Sequence, residues 1–527
     1  MKLNLDGITN EKEWSDAGIA LPKFDISAMR EQTKNFPEWV HFGAGNIFRG
    51  FIGSIAQKLL NDGEMNTGII ACESFDFDII DKIYEPFDNL TLNVMMGKSS
   101  DLHMEVLAGI AEGIKASDFE YLKSIAENPS LKMLSFTITE KGYAVTDANG
   151  GLFGVVESDI ANGPTSPKHT MSIVAAMLYA RYKSCGAPLA VVSMDNCSHN
   201  GEKLQAGVMR VIKGWLDNGS VDNAFSEYVL EKVSFPWSMI DKITPRPDDT
   251  IKAKLEDLGV EDMAPVITDK HTYIAPFVNA EIPQYLVIED NFPNGRPPLE
   301  KAGVYLTTRE TVNKAETMKV TTCLNPLHTA LAVFGCLLGY KTIWEEMKDS
   351  DLVRLVEKVR DEGMKVVIDP EIIDPKKFVD EVINDRLPNP YIPDAPQRIA
   401  TDTSQKIPVR YGETIKSYEI AQDLDIADLE AIPLVIAGWL RYVLAVDDEG
   451  NAFTPSPDPM LGEMQEKLAG VKVGEPQIDD NLLKPILSNA NIFGVDLYEV
   501  GLGEKIENLF ASMLSGNGAV RLALKNL

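Results

Sequence analysis

The segment Met318-Lys-Val-Thr-Thr-Cys-Leu-Asn-Pro-Leu-His328 places an amine, a carboxamide and an imidazole within three helical turns of one another in a largely apolar setting. On a helix, Asn325 and His328 share a face and Lys319 lies modestly off it. Pro326 puts a break or kink between them. An ammonium stripped of water by apolar neighbours releases its proton more readily, so a Lys in this company can serve as general acid and base without a metal. The same residues also fit an amphipathic helix whose Lys carries its head to water and whose His is simply hydrogen-bonded.

A second chemical signal lies near the N-terminus. Glu38-Trp-Val-His-Phe-Gly-Ala-Gly45 reads as a short apolar strand running into a glycine turn, and Ile47, Phe51, Ile52, Ile55, Leu59 and Leu60 then recur at helical spacing. Gly43, Ala44, Gly45 and Asn46 therefore sit where a strand hands over to a helix N-terminus, whose N–H groups can cradle a pyrophosphate. Phe48 stands where the usual dinucleotide fingerprint has its third glycine, so a plain βα turn is the competing reading. Thr67–Cys72 reads as the next parallel strand, and Glu73 follows it. An acid at that strand end holds an adenosine ribose hydroxyl and repels a ribose phosphate, which favours NAD over NADP. Asp76 and Asp78 are alternative carriers of that role.

These groups need a scaffold, and 527 residues allow several domains. From Val40 to Thr244, strand-like runs (Val40–Phe42, Gly68–Cys72, Met133–Thr139, Leu189–Met194) alternate with helical patterns such as Met171–Lys183. This α/β alternation predicts a Rossmann-type doubly wound sheet. After proline- and glycine-rich punctuation from Pro283 to Pro298 the pattern turns helical, at Leu327–Tyr340, Leu352–Gly363, Leu434–Leu444 and Ile506–Leu514. The expected division is a dinucleotide-binding domain over 1–302 and a mostly α-helical substrate domain over 303–527. Residues Asp385 to Pro408 carry too much proline for regular helix and read as a loop excursion.

Composition narrows the function. A net charge of −29 argues against a nucleic-acid partner, which needs clustered Lys and Arg. The five cysteines include no CxxC pair and the six histidines no HExxH spacing, so the chain reads as metal-independent, with free thiols in a reducing compartment. No signal core opens the chain and no membrane span is expected, so the sequence reads as a cytoplasmic protein, a monomer or small homo-oligomer.

Six segments in order resemble the polyol-specific long-chain dehydrogenase/reductase family, which includes mannitol dehydrogenases and the hexuronate reductases: His41–Asn46, Thr139–Tyr143, Ser193–Gly201, Met239–Pro245, Lys319–His328 and Arg386–Pro390. The resemblance runs from about residue 38 to 415. It implies that Lys319 is the acid/base, that Asn196 and Asn325 are amide donors to the reacting oxygen, and that His328, Asp241 and Arg386 line the substrate pocket. Family members commonly space this Lys and Asn one residue closer. An inserted residue turns a helix by about 100° unless a π-bulge absorbs it, and such a bulge is expected here. Glu316, one turn before Lys319, fits either a proton relay or a helical ion pair.

A keto-uronate carries a carboxylate that must meet a cation once desolvated, whereas a ketose needs only hydroxyl partners. Arg386, Arg398, Lys406 and Arg410 supply positive charge in an otherwise acidic chain. This charge favours a small sugar acid, and the Asn325-Pro-Leu-His328 variant most resembles the fructuronate-reducing branch of the family, a resemblance that implies NAD-linked interconversion of D-fructuronate and D-mannonate. The alternatives are a mannitol 2-dehydrogenase-type polyol or ketose enzyme, tagaturonate reduction, or a non-catalytic sugar sensor that keeps the fold.

Overall fold

Apolar runs too short for helices and buried on both faces become strands of a parallel sheet. In the computed structural model, which describes residues 1–98, 102–477 and 482–527, these are β1 (Trp39–Phe42), β2 (Ile69–Glu73), β3 (Ile110–Lys115), β4 (Met133–Phe136), β5 (Leu189–Ser193) and β6 (Val233–Ser234). They pair in the order β3-β2-β1-β4-β5-β6, all parallel. This is the doubly wound order whose reversal between β1 and β4 opens a ligand crevice at the strand C-termini. Alternation along each strand feeds two cores. Val40 and Phe42 join Leu134, Phe136 and Val191 on one face. Trp39 joins Met133, Ala190 and Val192 on the other, under Ile55 and Leu59 of helix α1 (Gly53–Asn61). Helices α2 (Phe119–Glu127), α3 (Thr170–Lys183) and α4 (Asn200–Asp217) cover the first face through Leu122, Val174 and Val208.

The chain divides into two compact units, Met1–Asn313 and Lys314–Leu527. The first unit continues beyond the boundary expected after residue 302 because of one strand within the proline-rich stretch, Tyr285–Glu289. It pairs antiparallel with Ser238–Asp241 and parallel with Tyr305–Thr307, which keeps the chain in the first unit to helix α5 (Arg309–Met318).

Among its described residues the second unit has helices and one isolated bridge, Val446 to Ala452, but no strand. Its centre is α6 (Asn325–Leu337), packed against α7 (Ser350–Met364) and α8 (Ala431–Val443), with α9 (Gly503–Met513) beyond α8. The buried N-terminus of α8 leaves N–H groups that need partners. Glu362 of α7 accepts from the backbone N–H of Glu430, Ala431 and Ile432 at 2.6, 2.7 and 2.9 Å. The helical run Arg309–Leu337 is long and apolar enough to cross a membrane, yet 72% of its most apolar window is buried within the protein, as in a core helix.

Candidate active site

Gly43 ends β1 with φ +100°, and a Cβ there would lie 2.2 Å from the Thr137 carbonyl oxygen, so only glycine fits. Its N–H donates to the Cys72 carbonyl (2.9 Å), and Tyr84 Oη donates to the Ala44 carbonyl (3.0 Å). A Cβ on Gly45, by contrast, would meet nothing within 4 Å. The helix that follows begins there, with Arg49 N–H bonded to the Gly45 carbonyl at 3.0 Å. An open backbone surface at a helix N-terminus in the β1/β4 crevice fits a dinucleotide pyrophosphate.

At Phe48, where the fingerprint's third glycine would stand, the helix is widened. Phe48 stacks on His41 with ring centroids 4.2 Å apart, and the helix widens into a π-turn over Phe48–Ile52. Gly50 in that turn faces a separate sheet: a Cβ there would come within 2.7 Å of the side chain of Val278, in the strand Phe277–Glu281 that pairs with Thr91–Met96. His41 is fully buried between Ser135 Oγ (2.6 Å) and Thr137 Oγ1 (2.8 Å), and burial drives its pKa well below the ordinary value. Arg49, also buried, donates to Asn46 Oδ1 (2.8 Å) and the Ala275 carbonyl (2.9 Å), which orients Asn46; burial brings its pKa down to about 10.

Glu73 stands at the end of β2. Its Oε2 accepts the Ala44 N–H at 2.9 Å, and its Oε1 accepts those of Phe75 and Asp76 at 2.9 and 3.1 Å. Glu73 is thus a strut of the glycine turn. A carboxylate offers about four acceptor positions, so one remains for a ligand. The two alternative acids face the hairpin of Val266–Ile267 and Tyr273–Ile274: Asp76 accepts from Thr268 Oγ1 (2.6 Å), and Asp78 from the Asp269 N–H (3.0 Å) and Lys82 Nζ (2.7 Å).

Beyond β4 and β5 the chain is knotted around Asp195. Its Oδ2 accepts from the Ile138 N–H (2.8 Å) and Tyr143 Oη (2.6 Å), and its Oδ1 from the Thr139 N–H (3.0 Å). Burial raises the Asp195 pKa, against the pull of those donors. Asn196, next in sequence, is exposed. Asn200 Nδ2 donates to the Asp195 carbonyl (2.9 Å) and to the Ser238 carbonyl and Oγ (both 3.0 Å), tying this loop to the strand Ser238–Asp241 that ends in buried Asp241. The sequence assigned no role to Asp195, Tyr143 or Asn200. Their only signal was membership of two of the family-like segments, Thr139–Tyr143 for Tyr143 and Ser193–Gly201 for Asp195 and Asn200.

In the second unit, the expected bulge is present: Lys319–Cys323 is a π-turn, closed by the Leu324 N–H to the Lys319 carbonyl at 3.1 Å. Leu324 leaves helical geometry at φ −130°, ψ −61°, and α6 restarts at Asn325 with Pro326 in its first turn, where its missing N–H is harmless. Lys319 is only 2% exposed. Arg410 donates to the Asn325 carbonyl (3.3 Å) and to Thr329 Oγ1, and Tyr411 Oη to the Pro326 carbonyl (2.7 Å), so the first turn of α6 is gripped from outside. His328 Nε2 lies 3.3 Å from Asp394 Oδ2. Burial lowers the His328 pKa, Asp394 opposes that, and Arg410 and Arg398 add to it. A carboxylate can only accept, so the neutral ring carries its proton on Nε2 and presents the Nδ1 lone pair. Sequence reasoning missed Asp394, which hides in the proline-rich excursion.

Arg386 is buried at the end of another π-turn, Val382–Arg386. The other cations bind their own chain. Arg398 pairs with Asp394, and Lys406 Nζ donates to the carbonyls of Ile399 (2.8 Å) and Thr401 (2.5 Å), with burial bringing its pKa down to about 8. Among the described residues, no group of three or more His, Cys, Asp or Glu could hold a metal ion.

Known proteins share this arrangement. The model of the mannitol dehydrogenase Rossmann domain matches residues 37–301, and that of the mannitol dehydrogenase C-terminal domain matches residues 311–514. A D-mannonate oxidoreductase of Thermotoga maritima is 54% identical over 533 aligned residues, covering 100% of this chain and 99% of the relative. Among solved structures, the mannitol 2-dehydrogenase of Pseudomonas fluorescens, in a ternary complex with NAD and D-mannitol, is 26% identical with a TM-score of 0.71, covering 100% of this chain and 99% of its own. A D-sorbitol dehydrogenase in substrate-free form is 25% identical with a TM-score of 0.77, covering 94% of each chain. The glycine turn in a doubly wound sheet and the helical unit that follows it are accordingly those of an oxidoreductase using a nicotinamide cofactor, and the chain belongs to the mannitol dehydrogenase family.

Proposed function

We propose that the protein interconverts D-fructuronate and D-mannonate with NAD, Lys319 serving as the general acid/base. The observation that carries this reading is the full-length likeness to a D-mannonate oxidoreductase. Reduction of the ketone adds a hydride to carbon and a proton to oxygen. The hydride would come from a nicotinamide cofactor held by the glycine turn at Gly43–Asn46. Lys319 Nζ gives the proton to the oxygen, and the amides of Asn196 and Asn325 donate to that oxygen as its charge grows. Neutral His328 accepts a substrate hydroxyl at Nδ1, and Asp241 accepts another. Arg386 pairs with the uronate carboxylate. For the cofactor, the charge of Glu73 at the end of β2 disfavours a ribose phosphate and its remaining acceptor position suits a ribose hydroxyl.

The engagement of Arg398, Lys406 and Arg410 by their own chain favours a second reading, reduction of a neutral ketose by the same groups. NADH and NADPH oxidation measured with fructuronate, tagaturonate, fructose and fructose 6-phosphate separates the two. The proposal expects fructuronate with NADH to be the best pair; faster reduction of fructose overturns the substrate, and faster NADPH oxidation overturns the cofactor. Arg386→Ala is then expected to impair fructuronate reduction by about 2–5 kcal/mol, roughly 30- to 5,000-fold, and fructose reduction far less. Equal losses on both would assign Arg386 to a hydroxyl.

A further inference from the structure

Thr139 adopts φ 65°, ψ 160°, a region that belongs almost exclusively to glycine and is least tolerable for a β-branched residue. Backbone of this kind persists only where the surroundings over-determine it. Here the agent is visible. The Asp195 carboxylate gathers three donors from one short segment, the N–H groups of Ile138 and Thr139 and the hydroxyl of Tyr143. The segment follows β4 directly. Thr137, two residues earlier, is the residue whose carbonyl presses against Gly43 across the crevice.

We propose that Asp195 is a positioning residue for hydride transfer: its carboxylate holds Thr139 in a glycine-like conformation at the rim of the β1/β4 crevice, and the same bonds fix the chain from which Asn196 projects. The inference rests on the reading above, in which the crevice takes the dinucleotide and Asn196 donates to the reacting oxygen. Asp195 touches neither. It acts through two neighbours, Thr139 on the cofactor side and Asn196 on the substrate side. A second tether keeps the clamp from drifting, since Asn200 holds the Asp195 carbonyl from one side and Ser238 from the other. Ser238 Oγ in turn donates to the Ser193 carbonyl at 2.6 Å, at the end of β5. The clamp is therefore anchored on β5 and on the strand ending in Asp241, and it holds the segment after β4. A side chain that served only stability would not need to be matched to a residue in a forbidden conformation.

The test is a cycle of Asp195→Asn, Thr139→Gly and the double variant, read by kcat and KM for fructuronate, NADH affinity by fluorescence and melting temperature. Asn keeps one acceptor oxygen and puts an N–H₂ in place of the other, opposite either the Thr139 N–H or the Ile138 N–H and Tyr143 hydroxyl, so the clamp is weakened with little change in volume. The expected result is a fall in kcat of about 10- to 100-fold in Asp195→Asn, the scale of a small misplacement at a reacting centre, with a smaller change in KM. Thr139→Gly alone stays close to wild type, because glycine reaches this conformation without a clamp. The double variant regains about tenfold over Asp195→Asn. A double variant no better than Asp195→Asn, or a lowered melting temperature with unchanged kcat, overturns the proposal. If Asp195→Asn does not fold, Tyr143→Phe removes one of the three bonds and is expected to lose about threefold or more in kcat, restored by Thr139→Gly; no restoration overturns it equally. Asn196→Ala, measured in parallel, separates the proposal from the reading beneath it. Full turnover in that variant overturns the role of Asn196 and with it the substrate side of the clamp. Lost turnover there, with wild-type kcat in Asp195→Asn, overturns the clamp alone.

Discussion

The glycine turn of the first unit and the lysine turn of the second solve opposite problems. At Gly43–Asn46 the proposed binding surface is backbone, and buried side chains brace the turn: Glu73 accepts the Ala44 N–H, Tyr84 donates to the Ala44 carbonyl, and Arg49 to the Asn46 side-chain oxygen. At Lys319–His328 the proposed working atoms are side chains, and the backbone that carries them is bent. A π-turn absorbs the extra residue, Leu324 breaks the helix, and Arg410 and Tyr411 grip the carbonyls that the break exposes. Both turns adjoin a π-helical segment, a device frequent at functional sites. The difference teaches where each is vulnerable. The first fails through shape, because any added atom changes the cradle. The second fails through loss of a chemical group, because its shape is held from outside.

The largest expected effect therefore comes from removing the group. Lys319→Ala should lower turnover by about 10²- to 10⁴-fold or more while NADH binding, measured by fluorescence titration, stays largely intact. Loss of NADH binding as well would make Lys319 part of the scaffold and erase the contrast between the two turns.

Next in size is a pair of substitutions inside the cradle. Gly43→Ala forces a Cβ against the Thr137 carbonyl at a positive φ, so it should destabilise the first unit by about 3 kcal/mol or more and abolish cofactor binding together with stability. Gly45→Ala meets no protein atom within 4 Å, so its melting temperature should match wild type while NADH affinity falls about tenfold. Equal NADH affinity in Gly45→Ala would mean that the cofactor does not approach the turn there.

How far the sequence spoke for itself follows the same divide. The strands β1, β2, β4 and β5 were legible because their apolar runs are continuous and bounded by turn residues, and the core helices because their apolar stripes keep helical period. The strand β3 was not, since only Ile110 and Ala111 in it are buried and its remaining residues are mixed. The π-turn at Lys319 was legible only through the spacing between two named residues, for nothing in Val-Thr-Thr-Cys itself demands it. Asp195 and Asp394 were hidden for a different reason. Their importance lies in which distant groups converge on them, Tyr143 and Ile138 on one and His328 on the other, and no local pattern records convergence. Glu73 shows the opposite case: its position after a strand pointed to a ligand, while its bonds to Ala44, Phe75 and Asp76 reveal a structural duty as well.

The smallest expected effect sharpens the comparison through two buried glutamates. Glu73 satisfies three N–H groups beside the glycine turn. Glu346 of the second unit is fully buried and, among the described residues, neither of its carboxyl oxygens has a hydrogen-bond partner; it rests in the notch of Gly335 on α6, where a Cβ would lie 1.8 Å from its Oε1. Burial, reinforced by Asp349, Asp394 and Glu345, raises its pKa well above the ordinary 4.5. The folded protein thus keeps a proton that the unfolded chain has released. The stability this contributes is fully present below pH 4.5 and is lost as pH rises through the window up to the raised value, at about 1.4 kcal/mol per pH unit. Glu346→Gln keeps the shape and cannot ionise, so it should match wild type in melting temperature near pH 4.5 and exceed it increasingly above, by about 3–6 °C per pH unit within the window for a unit of this size. Kinetic constants should not change while wild-type Glu346 is protonated, because Gln and a protonated Glu present the same charge to Asp394, the partner of His328. A melting-temperature difference that is constant with pH would show that Glu346 is ionised in the fold, and that the second unit stabilises its buried charge as the first does.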